Sequence, residues 1–403
     1  MLRNRPRQPL RPSTNARLAP AIAAALLLLG CAGGDEADPI RLGATMSLSG
    51  AYATQGVPAA NGYRLCVDHL NEEGGLLGRL VELVLEDDRS STDEVVARYE
   101  AFLAGDGAEE PAVDAILGPY GSTLTEAVAP VTERHGKVHV SPLAATSSSW
   151  EQGRRFLFMV LPPAERFLAG LVEMAHEDGL TRIGVLHEDA LFPAAAARGA
   201  VEMAREMEMD VVFEIAYPGG TEDFSDVLDQ ARTEGVEVVA MAASDLDGFI
   251  TFTRALRESQ AGHDDFPVVM FGTSGAVAEF EAALGAHADG VYGLSAWEPS
   301  LPNPGNEAFV TAYEAAFDRA PSFHAAGAYG SCRLFAQAVE AAGTLDDERL
   351  RDTLLSLETT TVFGPFQVDE RGYQVANQGV FIQWQDGEKV VVWPPELATH
   401  PRR

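Results

Sequence analysis

The chain has 403 residues, a length that predicts about two or three domains. Its composition, 46% hydrophobic and 22% charged, is typical of a globular protein and excludes collagenous and coiled-coil classes. Asp and Glu number 60 against 29 Lys and Arg, so the formal net charge is −31. Because so acidic a surface repels nucleic acid, we expect no nucleic-acid partner. An anionic ligand is not excluded, since local donors decide what a pocket binds.

The first 30 residues have the pattern of an export signal. Five arginines lie in the first 17 residues, and an apolar run follows at 18–29, broken only by Pro20. A run of about 12 residues is too short to span a hydrocarbon core of ~30 Å as a helix. We therefore predict that 1–30 is a signal peptide and not a membrane span.

The predicted signal ends in Gly30-Cys31, which resembles the lipobox of bacterial lipoproteins. In those proteins the Cys is lipidated and becomes the first residue of the mature chain. The resemblance therefore implies a membrane anchor at Cys31, followed by a small, acidic tether over 31–38. The alternative is an ordinary signal peptide with an incidental Cys.

From residue 40 onward, short apolar runs alternate with amphipathic stretches. The first series predicts strands at 40–46, 81–86, 115–117 and 138–140 and helices at 59–73, 92–104 and 124–135. The second series predicts strands at 183–187, 211–215, 238–241 and 268–271 and helices at 165–177, 194–208, 226–234 and 246–258. Helices at 307–317 and 325–342 and strands at 366–368, 379–384 and 390–393 follow. Such alternation indicates parallel, doubly wound sheets, and two series indicate two α/β lobes.

Three loops that follow predicted strands are rich in Ser, Thr and Gly, at 47–56, 118–123 and 141–150. Ligands of open parallel sheets bind beyond the carboxyl ends of the strands. Each loop runs toward a helix N-terminus, whose unpaired N–H groups and partial positive charge suit a carboxylate or a carbonyl. Any one loop is explained equally well by helix N-capping, so the binding interpretation depends on the convergence of all three.

Motifs of common cofactor and catalytic sites are missing. The sequence has no GxGxxG after the first strand, no GxxxxGK[ST], no HExxH, no paired CxxC and no GxSxG. We therefore expect no cofactor, no metal site and no enzyme activity.

Beyond Cys31, the chain has two further cysteines, Cys66 and Cys332. An oxidising compartment permits a disulfide between them, but two separate buried thiols are the preferred interpretation.

Eight segments occur in the order and spacing of one family: IRLGATMSLSGAYATQG, VDHLNEEGGLLGR, LVLEDDRSS, ILGPYGS, HVSPLAATSS, YPGGTEDFS, DGVYGLSAW and TVFGPFQVDERG. Together they resemble the Leu/Ile/Val-binding protein family, the type I periplasmic solute-binding proteins of ABC importers, from about residue 40 to 393. The ending QWQDGEKVVVWPPELA is similar to a large subgroup whose ligands are mostly unassigned.

The resemblance implies two doubly wound parallel-sheet α/β lobes joined by a three-strand hinge. By position, lobe one would be 39–162 plus 298–363, lobe two 163–297 plus 364–395, and 396–403 a tail. A small organic solute, which would be an amino acid, a carboxylate or an amide, would lie in the cleft between the lobes. The closed form, expected to be a monomer, would deliver this ligand to the permease subunits of an ABC transporter.

Binding positions of the family carry over only residue by residue. Its carboxylate-gripping Ser matches Ser122, and its aromatic positions fall on Gln55 and Phe192. Tyr120 and Trp297 would suit an apolar or aromatic ligand body. The predicted ligand-binding residues are Ser49, Tyr52, Gln55, Tyr120, Gly121, Ser122, Leu143, Ala144, Ala145, Thr146, Phe192, Ser244, Ser274 and Trp297.

One difference from the family pattern bears on the identity of the ligand. Amino-acid binders of the family place Glu or Asp in a lobe-two turn where this chain has Ser274. A buried, unpaired ammonium costs several kcal/mol. Either another acid takes over, or the ligand has no α-ammonium, and we favour the second interpretation. The candidate acids are Glu188, Asp189, Asp245 and Asp247.

A different function stays open. An envelope lipoprotein of the same fold could act as a protein-interaction or sensory module without transport, and its crevice would then be plugged.

Overall fold

The structure is a computed structural model that describes residues 38–104, 112–244, 246–261, 269–272 and 275–403. The predicted signal peptide, Cys31 and all but the last residue of the tether lie outside the described residues, as do Asp245 and Ser274. In the part of the chain that is described, no helix is long and apolar enough to cross a membrane.

Two sheets and a short hairpin organise the described residues. The strands are β1 (Ile40–Met46), β2 (Val81–Asp87), β3 (Ala115–Leu117), β4 (His139–Ser141), β5 (Leu157–Met159), β6 (Arg182–Glu188), β7 (Asp210–Tyr217), β8 (Val238–Ala242), β9 (Val269–Gly272), β10 (Tyr292–Ser295), β11 (Thr359–Thr361), β12 (Gly364–Phe366), β13 (Val380–Gln385) and β14 (Glu388–Trp393). The first sheet has the order β2-β1-β3-β4-β5, the second β14-β13-β10-β9-β8-β6-β7, and β11 pairs with β12.

Helices connect the parallel strands. They are α1 (Ala53–Glu72), α2 (Thr92–Ala104), α3 (Ser122–Arg134), α4 (Arg166–Glu177), α5 (Leu191–Glu206), α6 (Ser225–Thr233), α7 (Leu246–Gln260), α8 (Ala278–Leu284), α9 (Asn306–Phe317), α10 (Phe323–Ala342) and α11 (Asp347–Ser356). Single 3₁₀ turns lie at Ser147–Ser149 and Gly285–Ala288.

Both sheets are built from parallel strands joined through helices. In the first sheet every neighbouring pair is parallel. In the second, β6 to β10 are parallel, while β13 runs antiparallel to β10 and forms a hairpin with β14. Six of the seven residues of β1 are buried, as expected for a strand covered by helices on both faces. The predicted α/β class with two doubly wound sheets is confirmed.

The chain passes between the two sheets at three places. It leaves the first sheet after β5, returns to that side after β10 to form α9 to α11, and enters the second sheet again at β13. Part of the predicted tail at 396–403 lies against the second sheet, where the Thr399 N–H donates to the Val391 carbonyl at 2.8 Å and the Arg403 N–H donates to Gln383 Oε1 at 3.1 Å. The exact lobe boundaries given above stay predictions.

Helices α1 and α10 pack along each other and are joined covalently. Cys66 and Cys332 form a disulfide whose Cα atoms are 6.3 Å apart. The preferred interpretation of two separate thiols was therefore wrong. Sequence could not decide this, because 266 positions separate the two cysteines and only the packing of the helices brings them together. The packing is close: Gly62 meets the Ala325 carbonyl so tightly that a β-carbon would not fit.

Several element boundaries differ from the predicted ones. Helix α1 begins at Ala53 and not at residue 59, because the first turn of the helix is formed by part of the small-residue loop. The strand predicted at 366–368 is wrong, since β12 ends at Phe366. The pattern also missed β5, β10, β11, α8 and α11. The cap of α11 was readable: Asp346 Oδ1 accepts the Arg349 N–H at 3.0 Å.

Candidate functional site

A cavity lies among loops that follow strands of both sheets. It encloses about 720 Å³ between the atoms, including the part open to solvent. Its lining residues are Tyr52, Gln55, Tyr120, Gly121, Ser122, Thr123, Leu124, Leu143, Leu161, Phe167, Phe192, Ala243, Ser244, Val277, Phe323 and His324.

Helix N-termini surround this cavity. The first turns or N-caps of α1, α3, α4, α5 and α10 each contribute lining residues. The first N–H groups of a helix have no acceptor inside the helix and carry a partial positive charge. Not all of these ends offer free donors: the Gln55 N–H of α1 already donates to the Tyr52 carbonyl at 3.2 Å, and the Phe167 N–H of α4 donates to the Ala164 carbonyl at 3.0 Å. The case for an anion in this cavity therefore depends on the N-terminus of α3.

The N-terminus of α3 is the best-defined of these ends. Gly121 precedes it with φ of 76°, a backbone conformation that side chains rarely adopt. The Thr125 N–H donates to the Gly121 carbonyl at 3.1 Å, which starts the helical hydrogen bonding. The N–H groups of Ser122, Thr123 and Leu124 therefore lack acceptors within the helix, and all three residues line the cavity.

Ser122 is held by the loop that follows β4. Its Oγ accepts the Ala145 N–H at 3.1 Å and the Thr146 N–H at 3.3 Å. With both lone pairs of the hydroxyl oxygen engaged, its proton is left to donate to a ligand. Ala145 and Thr146 are themselves buried and do not line the cavity, so they contribute by fixing Ser122.

Aromatic rings line the cavity from both sheets. On the side of the first sheet, the rings of Tyr52 and Tyr120 lie 5.5 Å apart. On the side of the second sheet, Phe167 and Phe192 meet edge to face at 5.0 Å. Phe323, at the start of α10, completes the set. These rings suit a ligand with an apolar or aromatic body.

The lining carries no formal charge among the described residues. None of them is Asp, Glu, Lys or Arg. The remaining titratable base is His324: burial lowers its pKa to about 3, and the charge of Lys389 adds to this effect. The imidazole is therefore neutral at pH 7 and adds no charge to the lining.

The acids considered as ammonium partners do not line the cavity. Glu188 Oε2 accepts the Ser244 backbone N–H at 2.7 Å, so this carboxylate positions the Ser244 loop. Asp189 and Asp247 are likewise not among the lining residues. Asp245 and Ser274 lie outside the described residues.

The structure gathers eight of the predicted site residues at the cavity: Tyr52, Gln55, Tyr120, Gly121, Ser122, Leu143, Phe192 and Ser244. Ser49 lies outside the lining, and its Oγ donates to Asp87 Oδ2 at 2.7 Å. Ala144 is buried in the core beside Trp150.

Trp297 also lies away from the cavity. Its Nε1 donates to Asn306 Oδ1 at 2.7 Å and its ring packs edge-on against Phe309, with centroids 5.7 Å apart. It fills the core next to α9. Sequence reasoning missed Phe167, Phe323 and His324, because nothing local marks these positions and only the packing of α4 and α10 brings them to the site.

Comparisons with known proteins agree with this architecture. A family model described as "Periplasmic binding protein" matches residues 39–389. A Leu/Ile/Val-binding protein homolog 8 from Brucella abortus (strain 2308) is 26% identical over 384 residues, covering 89% of this chain and 91% of the homologue.

Two solved structures share the fold. The leucine-binding protein LivK from Thermotoga maritima has a TM-score of 0.78 at 21% identity, covering 87% of this chain and 97% of LivK. A solute-binding protein of an ABC transporter from R. palustris, solved with benzoate, has a TM-score of 0.76 at 19% identity, covering 88% of this chain and 95% of that protein. Because the family model spans nearly all of the described residues, the chain belongs to the periplasmic binding proteins, a family of extracytoplasmic solute-binding proteins.

Proposed function

We propose that this protein is the substrate-binding protein of an ABC importer, anchored to a membrane through a lipid on Cys31, and that it binds a small organic acid without an α-ammonium group. The observation that carries the proposal is the pairing of a helix N-terminus with a cavity whose described lining residues carry no formal charge. Ser122 and the first turn of α3 offer donors to a carboxylate, whereas no described lining residue offers a carboxylate to an ammonium.

Energetics favours this assignment. An ammonium taken from water without a charged partner costs several kcal/mol, and ~1.4 kcal/mol already changes an affinity tenfold. A neutral His324 adds no negative charge that could compensate. An acid whose carboxylate meets the α3 N-terminus and whose apolar body meets the aromatic rings avoids this penalty.

The ligands named for similar proteins include an acid of this kind. LivK is a leucine-binding protein, and the R. palustris protein was solved with benzoate, an acid that has no ammonium group. Both share the fold with this chain. A ligand that contacts lining residues on both sides would stabilise the closed arrangement over an open one, and this closed form would be delivered to the permease.

A thermal-shift screen tests the proposal. The panel contains aromatic acids, branched and short-chain aliphatic acids, the amides of the same carbon skeletons, and amino acids. A ligand at about 100 times its dissociation constant stabilises the fold by ~2.7 kcal/mol, which raises the melting temperature measurably. We expect acids to raise it and their amides to raise it less, since the amide lacks the charge that the helix ends attract. A chain that responds to no member of the panel would instead indicate a protein-interaction module.

A further inference from the structure

Gln55 brings an unpaired carbonyl oxygen to the wall of the cavity. It lies in the first turn of α1, and only 4% of its surface is exposed. Its Oε1 is shielded from solvent and has no hydrogen-bond partner. A buried carbonyl oxygen without a donor is unfavourable, so native structures rarely leave one unless the site has a use for it.

The other buried glutamines of the described residues are paired. Gln374 Oε1 accepts a backbone N–H at 2.9 Å, and Gln383 Oε1 accepts one at 3.1 Å. Gln385 Nε2 donates to a backbone carbonyl at 2.9 Å. Gln55 is thus the exception among them, and it is also the one that lines the cavity.

The backbone holds Gln55 in this position. The Tyr52 N–H donates to Ser90 Oγ at 3.0 Å, and the Gly56 N–H donates to the Tyr52 carbonyl at 2.8 Å. Gly56 also packs so tightly against the Ser47 carbonyl that a β-carbon would not fit. The first turn of α1 is therefore fixed, which keeps the backbone of Gln55 at the cavity wall.

We propose that Gln55 determines specificity by accepting a hydrogen bond from the ligand, so that the ligand is an organic acid with a second, neutral donor such as a hydroxyl. This inference rests on the proposed function, because it assumes that the carboxylate occupies the α3 N-terminus. The Gln55 carbonyl repels a carboxylate oxygen and attracts an O–H or N–H. An amide carbonyl carries no formal charge, so a neutral hydroxyl matches it better than an ammonium.

The test is calorimetric titration of the full chain with matched acids. Benzoate, the three hydroxybenzoates and the three methoxybenzoates form one set, since a methoxy group fills the space of a hydroxyl but cannot donate. The acid 4-methylpentanoate and its mono-hydroxylated derivatives form an aliphatic set. Each acid is titrated into the unchanged protein, into Gln55→Met, which keeps the side-chain volume and loses the hydrogen-bonding groups, and into Gln378→Met as an exposed control.

The expected result is that one hydroxylated acid binds about tenfold or more tightly than its parent and its methoxy analogue. Gln55→Met should abolish that preference, while Gln378→Met keeps it. Parents that bind as tightly as every hydroxylated acid, or a preference that survives Gln55→Met, would overturn the role of Gln55 and leave the proposed function standing. If no acid of either set binds, the role of Gln55 fails, while the proposed function is decided by the wider thermal-shift panel.

Discussion

Ser122 and Ala145 are joined by a hydrogen bond of 3.1 Å in which the serine Oγ accepts the alanine backbone N–H. This bond ties the first turn of α3 to the loop after β4, so one hydroxyl both organises the wall of the cavity and faces its ligand. Replacing Ser122 by Ala should therefore have two effects at once. It leaves the N–H groups of Ala145 and Thr146 unpaired, and it removes a donor to the carboxylate.

For Ser122→Ala we expect a loss of about 1–3 kcal/mol in the free energy of unfolding and a roughly tenfold or larger loss of affinity for the acid. Urea denaturation and calorimetric titration measure the two effects. Ser356→Ala, at an exposed position of α11, serves as the control and should change neither. Full affinity in Ser122→Ala would show that this hydroxyl does not contact the ligand.

The disulfide between Cys66 and Cys332 should support both stability and binding. It joins α1 and α10, whose N-terminal ends bring Gln55 and His324 to the cavity. Replacing both cysteines by Ala should cost about 2–4 kcal/mol in the free energy of unfolding. Reductant should lower the melting temperature of the unchanged protein and leave that of the double variant where it was. Equal melting with and without reductant in the unchanged protein would contradict the bond.

Arg198 should stabilise the arrangement of the two sheets that the structure shows. It lies on α5 of the second sheet, and its guanidinium donates to Ser147 Oγ at 3.1 Å, beyond β4 of the first sheet, and to Glu165 Oε1. Because the arginine is half exposed, the contact is worth ~1 kcal/mol at most. Arg198→Met should weaken ligand binding by up to about fivefold, mainly through faster dissociation. Arg205→Met on the same helix is the matched control; stopped-flow rates that are identical for the two variants would argue against the contact.

Buried histidines should make stability depend on pH. Burial lowers the pKa of His324 from 6.5 to about 3, with Lys389 contributing, and lowers the pKa of His139 to about 3, with Arg154 contributing. Below pH 6.5 both imidazoles are protonated in the unfolded chain, whereas in the folded chain they stay neutral until the pH approaches 3. The stabilisation is therefore complete above pH 6.5 and is lost as the pH falls from 6.5 toward 3, at up to ~1.4 kcal/mol per pH unit for each imidazole.

Urea denaturation at a series of pH values measures this loss. Between pH 6 and pH 4, His324→Asn should make the free energy of unfolding depend less steeply on pH, by up to about 1.4 kcal/mol per pH unit, which corresponds to one proton. The contribution of His139 should remain. An unchanged slope in His324→Asn would show that this imidazole is protonated in the folded state as readily as in the unfolded chain.

Much of the fold could be predicted from the sequence because its signals are local. Apolar runs such as Ile40–Met46 between amphipathic stretches indicate parallel strands and helices. The small-residue loops after β3 and β4 also predicted that Ser122 and its neighbours belong to a binding site, and Ser122 does line the cavity. What could not be predicted depends on packing between distant segments. Cys66 meets Cys332 across 266 positions, and Phe323 reaches the cavity only because α10 lies along α1.

Trp297 was predicted as a ligand-binding residue but lies in the core. An aromatic residue after a strand resembles a ligand contact in sequence, but its indole N–H is satisfied by Asn306 and its ring is buried against Phe309. Whether an aromatic side chain points into a cavity or into a core depends on the neighbouring helix, which the local sequence does not reveal. The same holds for Ala144, whose burial follows from the turn after β4.

The central claim is that the cavity binds an organic acid without an ammonium group. The most direct measurement is calorimetric titration with acids that differ only in that group: 4-methylpentanoate against L-leucine, and 3-phenylpropanoate against L-phenylalanine. We predict that the acid without the amine binds at least about tenfold more tightly in at least one pair, and that no amino acid binds more tightly than its partner. Tighter binding of L-leucine or L-phenylalanine would contradict the account, since it would require an ammonium partner that the described lining does not contain.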